Sequence, residues 1–187
     1  MEKKMRKREK MIISRKTPKP VVLKLGQECG QGCSKTHHCC KHDSGFLAEE
    51  DAKRIARFLN ISEQELKERF LQEKLMFNTP ALKPKTLKKD KPYGPCIFLD
   101  EEHGCKIHEV KPLQCRLYTC KEYGFDMTQW FYLNYLVNPE DPSSVREYAE
   151  FIKFNEPIPG GRLEELVPDK EKLSKIMSYE IIKEEKE

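Results

Sequence analysis

A mainly α-helical fold with one small β-hairpin is what this 187-residue sequence predicts, on three observations. Apolar residues recur at helical spacing in several stretches, most clearly at Ala48, Ala52, Ile55, Ala56 and Leu59. A short acidic turn, DEEHG at residues 100–104, separates two brief apolar arms and reads as a hairpin. The eight cysteines fall into two runs, residues 29–40 and 96–120, a density that packing of small side chains does not explain.

Charged residues make up 35% of the chain and the AVILMFWYC set 37%, which supports one domain with a modest core. Thiols and imidazoles clustered in such a chain point to metal, whose binding free energy becomes folding free energy. The net charge of +4 is uneven, with nine Lys/Arg against two Glu in residues 1–20. That basic start is followed only by Met11, Ile12 and Ile13 where an export leader would carry its apolar segment. The longest apolar stretch, residues 130–137, is too short to span a membrane and is broken by Asn134. The expectation is a cytoplasmic chain without a membrane partner, in which reduced thiols hold metal rather than form disulfides.

Residues 1–20 read as a basic flexible arm. A cysteine-cluster domain is expected over 21–125, with a helical hairpin inserted at 47–71, and a C-terminal helical region over 126–187 packing on it. Residues 21–25, VVLKL, read as a short strand. Gly26, Gly30 and Gly32 then let the first cysteine run wrap as a loop. Asn60 ends the first inserted helix, and Ser62 with Glu65 forms a capping-box pattern opening the second. Four prolines and many lysines over 78–95 predict an irregular loop. Cys96 and Cys105 stand at the bases of the hairpin arms, with Gly104 at its left-handed position. Pro112 opens a short helix carrying Cys115, with Cys120 beyond it. Helices are expected over 127–137, 143–154 and 169–183. Trp130, Phe131, Tyr132 and Tyr135 are expected to pack these helices onto the cysteine domain.

The first run reads CGQGCSKTHHCC at residues 29–40 and the second GPCIFLDEEHGCKIHEVKPLQCR at 94–116. Neither contains the C-x-x-C pairs of zinc ribbons, the C-x2-C-x2-C run of bacterial ferredoxins or a thioredoxin-like redox pair. An irregular site remains, with more thiols than one ion requires: two zinc ions, or one four-iron cluster with thiols to spare. His37, His38, His42, His103 and His108 lie in or beside the runs, and their default role is hydrogen bonding or plain surface. Arg116, directly after Cys115, reads as a donor to thiolates and so a contact of the bound group. A nucleophilic Cys39 or Cys40 beside a histidine lacks an orienting third group. The basic arm and the lysines of 83–91 lack interleaved aromatics, which favours a solvated face over nucleic acid.

The second run resembles the YkgJ-type cysteine-cluster family, described as a zinc- or iron-chelating domain. Its pattern of a Cys before a short hydrophobic strand, an acidic turn, a second Cys, then Lys-Pro-x-x-Cys-Arg is met at residues 96–116. The resemblance covers roughly residues 25–120 and implies chelation by Cys29, Cys33, Cys39, Cys40, Cys96, Cys105 and Cys115. Cys120 stands where many members have no cysteine and joins the candidate ligands as an extra thiol. The first run is longer here than the family's C-x2-C-x4-CC. A spaced run ending in Cys-Cys is also similar to flagellin lysine N-methylases, which are associated with an iron–sulfur cluster.

A metal-binding protein follows, its cofactor zinc or an iron–sulfur cluster, of the 4Fe-4S type if iron. The alternatives are a protein-modifying enzyme of the lysine N-methylase type, or an adaptor binding a protein or nucleic acid through the basic arm. The chain carries no Gly-rich nucleotide-binding turn.

Overall fold

The structure, a computed structural model, describes residues 11–26, 37–88, 91–120 and 122–182. These form nine α-helices and two separate two-stranded antiparallel sheets. In chain order they are α1 (Lys19–Gly26), α2 (His38–His42), α3 (Asp51–Leu59), α4 (Glu63–Phe70), β1 (Leu71–Met76), β2 (Thr79–Pro84), β3 (Leu99–Asp100) and β4 (Gly104–Cys105). After these come α5 (Leu113–Leu117), α6 (Gly124–Tyr135), α7 (Pro142–Ile152), α8 (Leu163–Leu166) and α9 (Lys170–Met177). The expected mainly helical fold with a small hairpin is present.

The inserted helical hairpin forms as its punctuation directs. Asn60 takes the left-handed conformation (φ 55°) that asparagine tolerates, ending α3. The Ser62 hydroxyl accepts the Glu65 amide at 3.0 Å and opens α4. Glu65 does not close the reciprocal half of the box, because its carboxylate pairs with Arg69 one turn on. The buried face, Ile55, Ala56 and Leu66, packs with Phe98 and Ile107 of the cysteine hairpin in a small core of its own. Gly104 holds the turn between β3 and β4 at φ 84°, and Leu99 pairs with Cys105.

Four expectations need correction. Residues 21–25 lie in helix α1, because among the described residues no strand pairs with them and a helix lets Val22 and Gly26 bury against α5. A Cβ on Gly26 would stand 2.5 Å from the Arg116 carbonyl, so only glycine permits this approach. Residues 11–20 are docked rather than a free arm: Ile13 is 1% exposed, and the Trp130 indole donates to the Thr17 carbonyl at 2.8 Å. Residues 1–10 lie outside the described part. The end of the first cysteine run is not loop, since α2 carries Cys39 and Cys40. The fourth correction concerns residues 79–84, which form strand β2 on β1 in spite of Pro80 and Pro84.

The prolines are tolerated by register. The Leu82 carbonyl accepts from the Leu47 amide at 2.8 Å and the Pro84 carbonyl from the Ser44 hydroxyl at 2.6 Å. Even-numbered positions of β2 therefore turn their polar groups away from β1, and neither proline removes a ladder donor. Phe77 and Asn78, at φ 50° and 53°, close the hairpin in two residues. Phe77 holds this rare conformation because its buried ring stands edge-on to Tyr132, Tyr148 and Phe151.

The larger core joins Ile13, Val22, Phe46, Phe77, Leu113 and Leu117 to residues of α6, α7, α8 and α9. Helix α9 is shorter than expected. Tyr179 turns left-handed beyond it, and Arg146 donates to the Ile176 and Ile181 carbonyls at 3.0 Å.

Asp51 ties the inserted hairpin to the cysteine segment. Buried at the start of α3, it accepts the Ala48 amide at 2.9 Å and the Leu113 amide at 2.6 Å. It also accepts from Arg54 at 2.7 Å, and Arg54 reaches the Lys111 carbonyl at 3.0 Å. Removing this carboxylate strands two buried amides and a guanidinium. Asp51→Ala is expected to lower stability by about 3 kcal/mol in urea unfolding, against about 1 kcal/mol for the more exposed Arg54→Ala.

Candidate metal centre

Two hydrogen bonds join the cysteine segments. The Cys96 amide donates to the Cys40 carbonyl at 2.8 Å and the Gly94 amide to the His42 carbonyl at 3.2 Å. Helix α2 is thereby laid along the strand-like entry to the hairpin, where Cys96 also bridges to Thr86. The result is a cavity of about 360 Å³ lined by Cys39, Cys40, Cys96, Cys105, Cys115 and Cys120. Six of the eight predicted thiols thus face one space. Cys29 and Cys33 lie outside the described residues. Gly26, three residues before Cys29, packs against the backbone of Arg116 next to Cys115.

Three of the sulfurs accept backbone hydrogen bonds. Phe98 N–H points at Cys96 and Ile107 N–H at Cys105, each two residues along the chain, and Gly45 N–H points at Cys115. Donors aimed at sulfur favour the thiolate. Burial opposes them and wins. It pushes the Cys40 thiol up to about 12, with Cys105, Cys96 and Cys39 adding to the rise, and Cys96 up to about 11. Cys105 and Cys115 are raised for the same reason. With nothing bound these thiols are protonated, and a cation is what would make them thiolates. Lys111 and Lys83 supply part of that positive field, Lys111 at Cys40 and Cys105 and Lys83 at Cys96.

The donor set suits a soft metal. One buried nitrogen, His108 Nε2, also lines the cavity side without a partner among the described residues. The groups are not closed around a point, however. Among the described residues no three His, Cys, Asp or Glu side chains stand together tightly enough to hold an ion. Zinc–sulfur bonds of about 2.3 Å would require these sulfurs to draw inward around a single ion.

The other predicted residues are placed as follows. Arg116 is half-buried on α5 and is not among the described residues lining the cavity. His37 sits left-handed (φ 60°), with its ring against Gly104, where a Cβ would meet Nε2 at 2.8 Å. The His38 and His42 rings on α2 lie 4.3 Å apart, tilted by 37°, and exposed His103 pairs with Asp100. Sequence reasoning missed Gly45, Lys83 and Lys111. Gly45 had no signal beyond its proximity to the first run. Lys83 looked like any other lysine of a solvated loop.

The family described as "Putative zinc- or iron-chelating domain" (CxxCxxCC) matches residues 28–134 of the chain. An uncharacterized protein of Methanocaldococcus jannaschii, MJ0661, is 35% identical over 86 residues, which cover 46% of this chain and 42% of that protein. The chain therefore matches less than half the length of that relative. No solved structure matches it.

Gly45 offers a direct test of the geometry. A Cβ there would stand 2.6 Å from Cys115 Sγ and 2.9 Å from the Cys115 amide. Gly45→Ala is expected to cut metal per purified chain by at least half in elemental analysis, while far-UV circular dichroism stays unchanged.

Proposed function

The chain belongs to the zinc- or iron-chelating cysteine-cluster family, and from that premise we propose that it binds a metal centre held by thiolates from both cysteine runs. Cys40, Cys96, Cys105 and Cys115 are the principal ligands in this reading, with Cys29, Cys33 and Cys39 completing the set and Cys120 at its edge. The observation that carries it is the convergence of two segments more than fifty residues apart on one thiol-lined cavity.

Six thiols line that cavity, more than one ion requires, which supports a centre of several atoms over a lone ion. An iron–sulfur cluster and a pair of zinc ions both meet this description. A zinc centre would staple the fold, whereas a cluster would add the capacity to carry an electron. The protein's own contribution is common to both. The amides of Phe98, Ile107 and Gly45 orient three sulfurs, and the small core packs against Cys96 and Cys105.

Anaerobic purification followed by elemental analysis and a visible spectrum tests the proposal. Zinc without colour, or iron and sulfide with a broad visible absorption, supports it; a folded, colourless and metal-free chain overturns it. Cys96→Ser, Cys105→Ser and Cys115→Ser are each expected to lower metal content at least tenfold, and Cys120→Ser to retain most of it.

Stability should also depend on pH in opposite senses with and without metal. In the metal-free fold the buried thiols titrate above their ordinary value of 9.0, Cys40 at about 12 and Cys96 at about 11. The unfolded chain therefore loses protons first, and the metal-free protein loses stability as pH rises from 9.0 toward those values. Bound metal needs thiolates, so the loaded protein loses its metal as pH falls. Thermal melts across pH with and without chelator measure both trends.

A further inference from the structure

We propose that His108 is itself a ligand of the metal centre, binding through Nε2 beside Cys105, so that sulfur and nitrogen donors share the coordination. The inference rests on the reading of the cavity as a metal centre and adds to it a ligand that reading does not use.

His108 lines the thiol cavity, and its Nε2 is shut off from solvent with no hydrogen-bond partner among the described residues. Enclosing a ring nitrogen without a partner is costly, and folded proteins meet such an atom with a protein group, a water or an ion. The other three histidines at the cavity are placed differently. His38 and His42 are exposed, and His42 Nδ1 is engaged with the His38 carbonyl at 2.9 Å. His37 has its ring against Gly104.

The local chain sets His108 next to a sulfur. Lys106 and Ile107 alone separate it from Cys105, the spacing by which paired ligands grip one tetrahedral ion. Cys105 is held by its pairing with Leu99 across the hairpin, and the Lys106 amide donates to the Phe98 carbonyl at 2.9 Å. Ile107, 1% exposed, is fixed in the small core. A single 3-10 turn, His108–Val110, starts at the histidine, with the Val110 amide on the Ile107 carbonyl at 3.0 Å. The backbone on both sides of His108 is thus positioned by the fold itself, as a ligand needs.

Imidazole suits zinc and iron alike, so the assignment does not depend on which metal is held. A neutral imidazole in place of one thiolate leaves the centre less negative by one charge, which lowers the cost of enclosing it. At an iron–sulfur cluster the same exchange raises the reduction potential.

The competing account makes His108 a packing residue whose Nε2 meets only water. Full-length wild type, His108→Phe and His108→Cys are stripped of metal, reduced and titrated with cobalt(II) against a competing chelator, reading the cobalt d–d bands. Phenylalanine keeps a ring and removes the nitrogen, while cysteine offers sulfur in its place. His108→Phe is expected to bind cobalt(II) at least about tenfold more weakly, since even an outer hydrogen-bond partner of a ligand is worth that much. His108→Cys is expected to bind it with bands at longer wavelength than wild type, because thiolate is the weaker-field donor. Wild-type affinity in His108→Phe overturns the proposal. So do unmoved bands in His108→Cys, because a residue outside the coordination sphere leaves them in place. Where His108→Phe alone loses its far-UV signal, the bands of His108→Cys decide; loss in both variants makes the role structural and overturns the proposal. Wild type that binds no cobalt(II) and holds no metal as purified defeats the metal-centre reading instead, which tells the two failures apart.

Discussion

The carboxylate of Asp51 takes amide hydrogens from two distant places, Ala48 in the approach to α3 and Leu113, 62 residues beyond Asp51, at the start of α5. That bridge decides where the second cysteine run stands. Leu113 and Leu117 of α5 are buried in the larger core, so Cys115 between them has little freedom once the helix is seated. Gln114 adds a tie, its side-chain oxygen accepting the Phe46 amide at 2.7 Å. The same short segment, 44–46, brings Gly45 N–H to Cys115 and Ser44 to the Pro84 carbonyl. Positions of the sulfurs thus follow from a polar network whose own members ligate nothing.

The electrostatics of the cavity are poised between two states. Desolvation holds the thiols neutral, and the amides of Phe98, Ile107 and Gly45 with the nearby lysines pull the other way. A site of this kind exchanges protons for metal, and its selectivity is set as much by what surrounds the sulfurs as by their number.

Much of the fold was legible because local chemistry and tertiary structure agree there. Asn60 and Ser62 mark the turn of the helical hairpin by side-chain preference alone, and Gly104 marks the cysteine hairpin by its left-handed backbone. Where the two disagree, local reading failed. Val21 and Val22 favour a strand, yet among the described residues no strand pairs with them and burial against α5 selects a helix. Pro80 and Pro84 argue against β2, and only the register on β1 shows that they cost no hydrogen bond. Phe77 has no left-handed preference, so its turn was invisible without the aromatic residues that grip its ring. The candidate site divides in the same way. Cysteines announce themselves by type and spacing, whereas the burial of Lys83 follows from its place in β2, which no lysine in a lysine-rich segment can signal.

The grip on Phe77 has a consequence for how the molecule is partitioned. The family match stops at residue 134, inside α6, while two of the three rings around Phe77, those of Tyr148 and Phe151, belong to α7. Strand β1 runs from that tip back to Leu71 in the small core beside the thiols. The portion of chain that defines kinship therefore shares its packing with residues beyond it. Its keel is supplied by sequence the kinship does not cover, and relatives differing after α6 would have to rebuild that socket from other side chains.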